Sequence, residues 1–165
     1  MKIVVEDANV LLDLVNGGIL GTWLGLDYEN YTTHIVWNEV SNTRQREHVQ
    51  PFIDSGLIRL RDIAPDSWEA IYAFSSETGV SVPDSSVWLL ARSEGAILLT
   101  GDSKLRKSAR ATDVEVRGVL WVLDELVSLS KISASKACEA LETIRKAGGF
   151  LPEDECQKRF AKWAA

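Results

Sequence analysis

Short apolar runs alternate with longer segments of helical periodicity along the whole chain, as an α/β protein with a mostly parallel sheet requires. Lys2 to Glu6 reads as the first strand. Helical spacing follows from about Ala8 to Asn16 and stops at Gly17-Gly18, residues suited to ending a helix. Ile19 to Tyr28 predicts a second short helix, and Thr32 to Trp37, brief, apolar and β-branched, predicts a strand. A polar helix is expected from about Asn38 to Ser55, closed by Gly56. Leu57 to Ile63 alternates apolar and charged residues, the habit of a strand near a sheet edge.

Pro65-Asp66-Ser67 opens a further helix, with Trp68, Ile71 and Tyr72 in a stripe, ending near Gly79. Pro83-Asp84-Ser85-Ser86 starts the next, which carries Val87, Leu90 and Ala91 inward and ends at Gly95. Ala96 to Thr100 is apolar enough for a strand buried on both faces. A basic helix spans Ser103 to Ala111 and a last short strand Val114 to Val116. Three helices close the chain at about Val119–Leu129, Ser133–Ala147 and Pro152–Trp163. In the last, Cys156, Phe160 and Trp163 share one face, a docking stripe for this domain or for a partner. There is no repeat, low-complexity stretch or linker, and 165 residues suit one domain.

Composition narrows the function. With 18 Lys+Arg against 24 Asp+Glu, the net charge of −6 repels phosphate-rich ligands overall. A nucleic-acid ligand would need a local basic patch or bound cations. No stretch approaches the roughly 20 apolar residues of a membrane span, and acids interrupt the first strand too early for a secretory signal. The expectation is a soluble cytoplasmic protein. Cys138 and Cys156 lack CxxC spacing and a nearby histidine, which argues against zinc or thiol redox chemistry.

Four carboxylates fall where strands hand over to helices. Asp7 follows Ile3-Val4-Val5-Glu6, Glu39 follows His34 to Asn38, Asp84 opens a helix, and Asp102 follows Ile97 to Gly101. In an open parallel sheet the carboxyl ends of the strands share one edge, where ligands bind. Clustered carboxylates resist full ionisation. A hard divalent cation such as Mg²⁺ or Mn²⁺ removes that penalty and can promote phosphodiester hydrolysis. Each acid taken singly is equally well explained as a helix cap, worth about 0.3–2 kcal/mol.

The ordered set resembles the PIN-domain family, which includes the toxin halves of VapBC toxin–antitoxin pairs. The resemblance rests on Asp7-Ala8-Asn9-Val10-Leu11-Leu12, Trp37-Asn38-Glu39-Val40, Pro83-Asp84-Ser85-Ser86 and Leu98-Leu99-Thr100-Gly101-Asp102. Gly118-Val119-Leu120, Ile132-Ser133 and Gly149-Phe150-Leu151-Pro152 are similar to a PIN subgroup with a long helical C-terminus, here from about 118 to 165. The resemblance implies a three-layer α/β/α fold and metal-dependent hydrolysis of RNA to a 5′-phosphate and a 3′-hydroxyl. It makes Asp7, Asp84 and Asp102 ligands of Mg²⁺ or Mn²⁺, with Glu39 completing the cluster. Asn9 and Thr100 would support the site by hydrogen bonds. A homodimer and a small inhibitory antitoxin are the implied partners.

Several features stand beside this reading. Lys104, Arg106, Lys107 and Arg110 follow Asp102 and are either phosphate-gripping candidates or a solvated face; Arg44 and Arg46 are weaker candidates. Glu6 and Asp113 are further acids near the motifs. His34, on the expected strand, and His48 have no nucleophile motif beside them, the six tryptophans read as packing, and Gly101-Asp102-Ser103-Lys104 lacks P-loop spacing. Two rivals remain: a haloacid-dehalogenase-like phosphatase, which would want an acid where Asn9 stands, and a non-catalytic PIN-like interaction module.

Overall fold

The computed structural model describes residues 2–164; Met1 and Ala165 lie outside the described residues. Five strands are β1 (Lys2–Glu6), β2 (Tyr28–Thr33), β3 (Ile58–Arg61), β4 (Ile97–Leu99) and β5 (Val116–Arg117). They form one sheet in the order β3-β2-β1-β4-β5, and every pairing is parallel. In register, Val4 faces Asn30 of β2 on one side and Ile97 of β4 on the other.

Alternation along the central strands builds a core on each side of the sheet. Val4, Ile97 and Leu99 point to one side, and Val5 and Leu98 to the other, all buried. The first layer holds α1 (Ala8–Asn16), α2 (Leu20–Leu24) and α4 (Thr43–Asp54), joined by α8 (Val119–Ser128), α9 (Ala134–Lys146) and α10 (Glu153–Ala164). The second holds α5 (Trp68–Thr78), α6 (Val82–Glu94) and α7 (Ser103–Arg110). The short α3 (His34–Glu39) straddles both, giving Trp37 to the first and Val36 to the second. The result is the expected three-layer α/β/α arrangement. Cys156 and Trp163 are buried against their own domain with Phe160 beside them, so the docking stripe is internally satisfied. Both cysteines are free thiols, and Trp23, Trp37, Trp88 and Trp163 are buried packing residues.

The segment expected to be a strand at Thr32–Trp37 is divided differently. Its strand begins earlier, at Tyr28, and His34 opens α3 instead of lying on a strand. The polar look of Tyr28–Thr33 misleads because its hydrogen bonds are met inside the protein. Asn30 Oδ1 accepts from Trp23 Nε1 at 3.2 Å, and Thr32 Oγ1 donates to the Glu6 carbonyl at 2.7 Å. Thr33 then caps α3, its Oγ1 accepting from the Val36 N–H at 3.2 Å. The second helix correspondingly ends at Leu24, and α4 starts at Thr43 behind an Asn42 cap. In α5 Ile71 is buried as expected and Phe74, stacked on Trp88 with centroids 3.7 Å apart, turns inward with it, while Tyr72 is exposed. The last strand shifts to Val116 because Asp113 sits in a left-handed turn (φ 62°) before it.

Candidate active site

Every strand ends at the same edge, and the helices that follow begin there. Asp7 leaves β1 with extended backbone and caps α1, its Oδ1 accepting from the Val10 N–H at 2.9 Å. Asp102 does the same after β4, its Oδ1 accepting from the Leu105 N–H at 2.8 Å and its second oxygen left open. The two strands are neighbours, so these carboxylates are brought together by register. Asp84 arrives from the other direction. Helix α6 runs back along the sheet to feed β4, which puts its N-terminal turn, with Asp84 inside it, at the same edge. Glu39 is carried in by the last turn of α3 and not by a strand end.

Thr100 links two of these acids. Its buried Oγ1 donates to Asp7 Oδ2 in a very short hydrogen bond and accepts from the Asp102 N–H at 3.1 Å. The anticipated support of Asp102 is thus to its backbone, and the carboxyl that Thr100 orients is that of Asp7. Asn9 is exposed and makes no side-chain hydrogen bond among the described residues. It lines, with Asp102, a cavity of about 530 Å³. A further hydrogen bond, Thr33 Oγ1 to Ser86 Oγ at 2.8 Å, ties α3 to α6 and so sets Glu39 against Asp84.

The electrostatics join all four acids. Burial pushes the Asp7 carboxyl up to about 7; Thr100 and the Val10 N–H partly offset this, and Asp84 and Asp13 add to the rise. Asp84 is also raised, first by burial, then by Asp102, with Ser81 opposing and Glu39 adding. Asp13 was not singled out from the sequence. It is half-buried, burial lifts its carboxyl to about 6, and it lines the same cavity as Asn9 and Asn16. The signal was present: 9, 13 and 16 form a polar stripe at helical spacing on an otherwise apolar helix.

Other candidates separate from the site. Glu6 points into the core, fully buried, its Oε1 accepting from Trp23 Nε1 at 3.4 Å and its Oε2 without a partner; burial holds it well above the usual carboxylate range. Asp113 lies in a cleft with Lys2 and Gly95, at the opposite end of the strands. His34 pairs with Asp62 at 3.1 Å in exposed positions. Arg46 is structural: its Nη1 donates to the carbonyls of Trp37 and Val40 at 2.9 and 2.6 Å, and its guanidinium lies 4.4 Å from the Trp37 ring centre. Arg106 is also engaged, donating to the Thr100 carbonyl at 2.8 Å. Lys104 turns toward Gly79, while Lys107 and Arg110 are exposed.

The donor set, all carboxylate oxygen with like charges pressed together, fits a hard divalent cation. The spacing is open: among the described residues no three His, Cys, Asp or Glu side chains stand close enough to hold one ion in common. Among the described residues no helix is long and apolar enough to cross a membrane.

Comparison with known proteins agrees with this layout. The crystal structure of PAE2754 from Pyrobaculum aerophilum superimposes with a TM-score of 0.56 at 17% identity, covering 77% of this chain and 98% of that one, a likeness of fold. No curated protein matches. A family model described as a PIN domain matches residues 3–165. With the parallel five-stranded sheet and an acid-lined edge already in view, that near-complete match means that the chain belongs to the PIN-domain family, whose members are generally nucleases and usually use divalent metal ions.

Proposed function

We propose that the protein is a divalent-metal-dependent endoribonuclease. The observation that carries this reading is the convergence of Asp7, Glu39, Asp84 and Asp102 on one sheet edge, close enough for Asp84 to feel both Asp102 and Glu39 and for Asp7 to feel Asp84. Asp7, Asp84 and Asp102, with Glu39, would hold Mg²⁺ or Mn²⁺. Bound there, the ion supplies Lewis acidity and charge neutralisation for phosphodiester hydrolysis.

The chain's own residues do the positioning. The Thr100 hydroxyl and the Val10 N–H fix both oxygens of Asp7. The Leu105 N–H fixes one oxygen of Asp102 and leaves the other without a hydrogen-bond partner among the described residues. The cavity between Asn9, Asp102 and the α9–α10 turn leaves room for a strand of single-stranded or looped RNA beside the acids. A toxin role, with a small antitoxin as inhibitor and a homodimer as the working form, extends the same reading from the VapC-like motifs.

One observation favours a second reading, a non-catalytic PIN-like module: the carboxylates are not closed to a shared coordination distance. Family membership removes the phosphatase alternative. A single assay decides between the others. A mixed RNA pool is incubated with Mg²⁺, Mn²⁺ or chelator, comparing wild type with Asp7→Asn and Asp102→Asn. The nuclease predicts metal-dependent cleavage lost by roughly 100-fold or more in each variant. Equal cleavage by all three, or none by any, ends it.

A further inference from the structure

Beside the acidic edge the fold holds an aromatic side chain in water. Phe150, in the turn between α9 and α10, is 98% exposed, against 57% for Tyr72. The turn around it is built tightly. Gly148 has φ +98°, a conformation side chains rarely adopt. A Cβ on Gly149 would stand 2.6 Å from Ile144 Cγ2 and 2.9 Å from the Ile144 carbonyl. Leu151, on the other side, packs half-buried against the main core. The flanks are anchored and the ring alone is presented.

The ring borders two clefts. One is the cavity containing Asn9 and Asp102. The other, of about 420 Å³, is walled by Arg106, Arg110 and Arg117 over an apolar floor that includes Val119 and Trp121. Burial first, then the neighbouring Arg110 and Arg117, disfavours the charge on Arg106. None of the three joins an ion pair among the described residues. Of the acids lining this cleft, Asp124 and Glu155 pair with Arg159 at 2.9 and 2.6 Å, and Asp13, which it shares with the first cavity, is half-buried with its carboxyl lifted by burial to about 6. A chain of net charge −6 thus sets three arginines outside any ion pair in the cleft next to the cavity that holds Asp102. Arg106 is tethered to Thr100, which leaves Arg110 and Arg117, both exposed, to meet a ligand.

We propose that Phe150, Arg110 and Arg117 form a subsite for the single-stranded RNA flanking the cut position, the ring stacking on one base and the guanidinium groups gripping neighbouring phosphates. The inference deepens the nuclease reading and rests on it for the identity of the nucleic acid. An exposed aromatic face beside unpaired cations is the chemistry that accepts single strands without strong sequence preference. Paired bases in a duplex are not free to stack on a protein ring, so the subsite selects for unpaired RNA.

The test uses the full chain and a short, end-labelled, mixed-sequence single-stranded RNA, with binding read by fluorescence anisotropy in chelator so that nothing is cut. Phe150→Ala should weaken binding roughly 5- to 100-fold, and Phe150→Trp should restore it. Tyr72→Ala, an exposed aromatic outside both clefts, should bind as wild type. Arg117→Gln should lower the slope of log affinity against log salt by about 0.7. Wild-type affinity in Phe150→Ala overturns the proposal. So does a weakening that appears only together with a dimer-to-monomer change in sedimentation, which would assign the ring to a contact with a second copy. Hydrolysis of bis(4-nitrophenyl) phosphate by the wild type with Mn²⁺ checks the nuclease reading separately. No hydrolysis, with Phe150-dependent RNA binding intact, would leave the subsite standing while the catalytic reading fell.

Discussion

Asp7 concentrates the trade between stability and activity in one side chain. Its folded carboxyl is raised to about 7 and that of Asp13 to about 6, so the folded state holds protons that the unfolded chain has released. Without metal, the contribution of these two groups to stability is therefore full at or below about pH 4 and is lost as the pH climbs through 6 and 7. Asp7→Asn keeps an acceptor for Val10 and a partner for Thr100 while removing the buried charge. In chelator at pH 8 the variant should be more stable than wild type, by on the order of 2–4 kcal/mol, with the difference vanishing near pH 4. Urea melts at the two pH values measure it, and equal stability at pH 8 would refute the assignment. Thr100→Val removes the hydroxyl that serves both Asp7 and Asp102. It should lower kcat about 10- to 100-fold, with KM for RNA little changed, in steady-state assays.

At the scale of elements, α3 is the piece that positions Glu39, and Arg46 is its clamp. Arg46→Ala leaves two carbonyls at the helix end without their donor. The expected result is a loss of about 1–3 kcal/mol in stability and about a 10-fold or larger fall in kcat/KM as Glu39 drifts. Thermal melts and kinetics on the same sample separate the two effects. This region is also where the sequence was hardest to read. The helices capped by Asp7, Ser81, Asp102 and Ser133 announce themselves through periodicity and a polar cap. Ile35-Val36-Trp37 looks like a strand because a brief apolar run has no period long enough to distinguish the two. Three of the four acids could be placed near one edge from strand ends and a helix start. Glu39's route, through a single helical turn, depends on the Thr33–Ser86 contact between residues 53 positions apart, which no local pattern encodes. Asp13 was hidden for the opposite reason, being a lone acid in a helix whose apolar face dominated the reading.

For the whole molecule, the closing helices are part of the core and not an appendage. Trp163 is buried with Cys156 in the same cluster as Leu11 and Leu14, and Arg159 ties α10 to Asp124 of α8. Trp163→Ala should cost about 3–5 kcal/mol, read as a lower midpoint in denaturant. A small effect would mean that α10 docks loosely. The sheet itself has a further consequence. Its border strands are only four and two residues long, and the longer one carries Arg59 and Arg61 folded over the Tyr31 ring. Such rims give an incoming polypeptide almost no backbone to zip onto. Crowding in a cell should therefore not drive this protein toward ribbon-like stacks joined through the edges of its sheet.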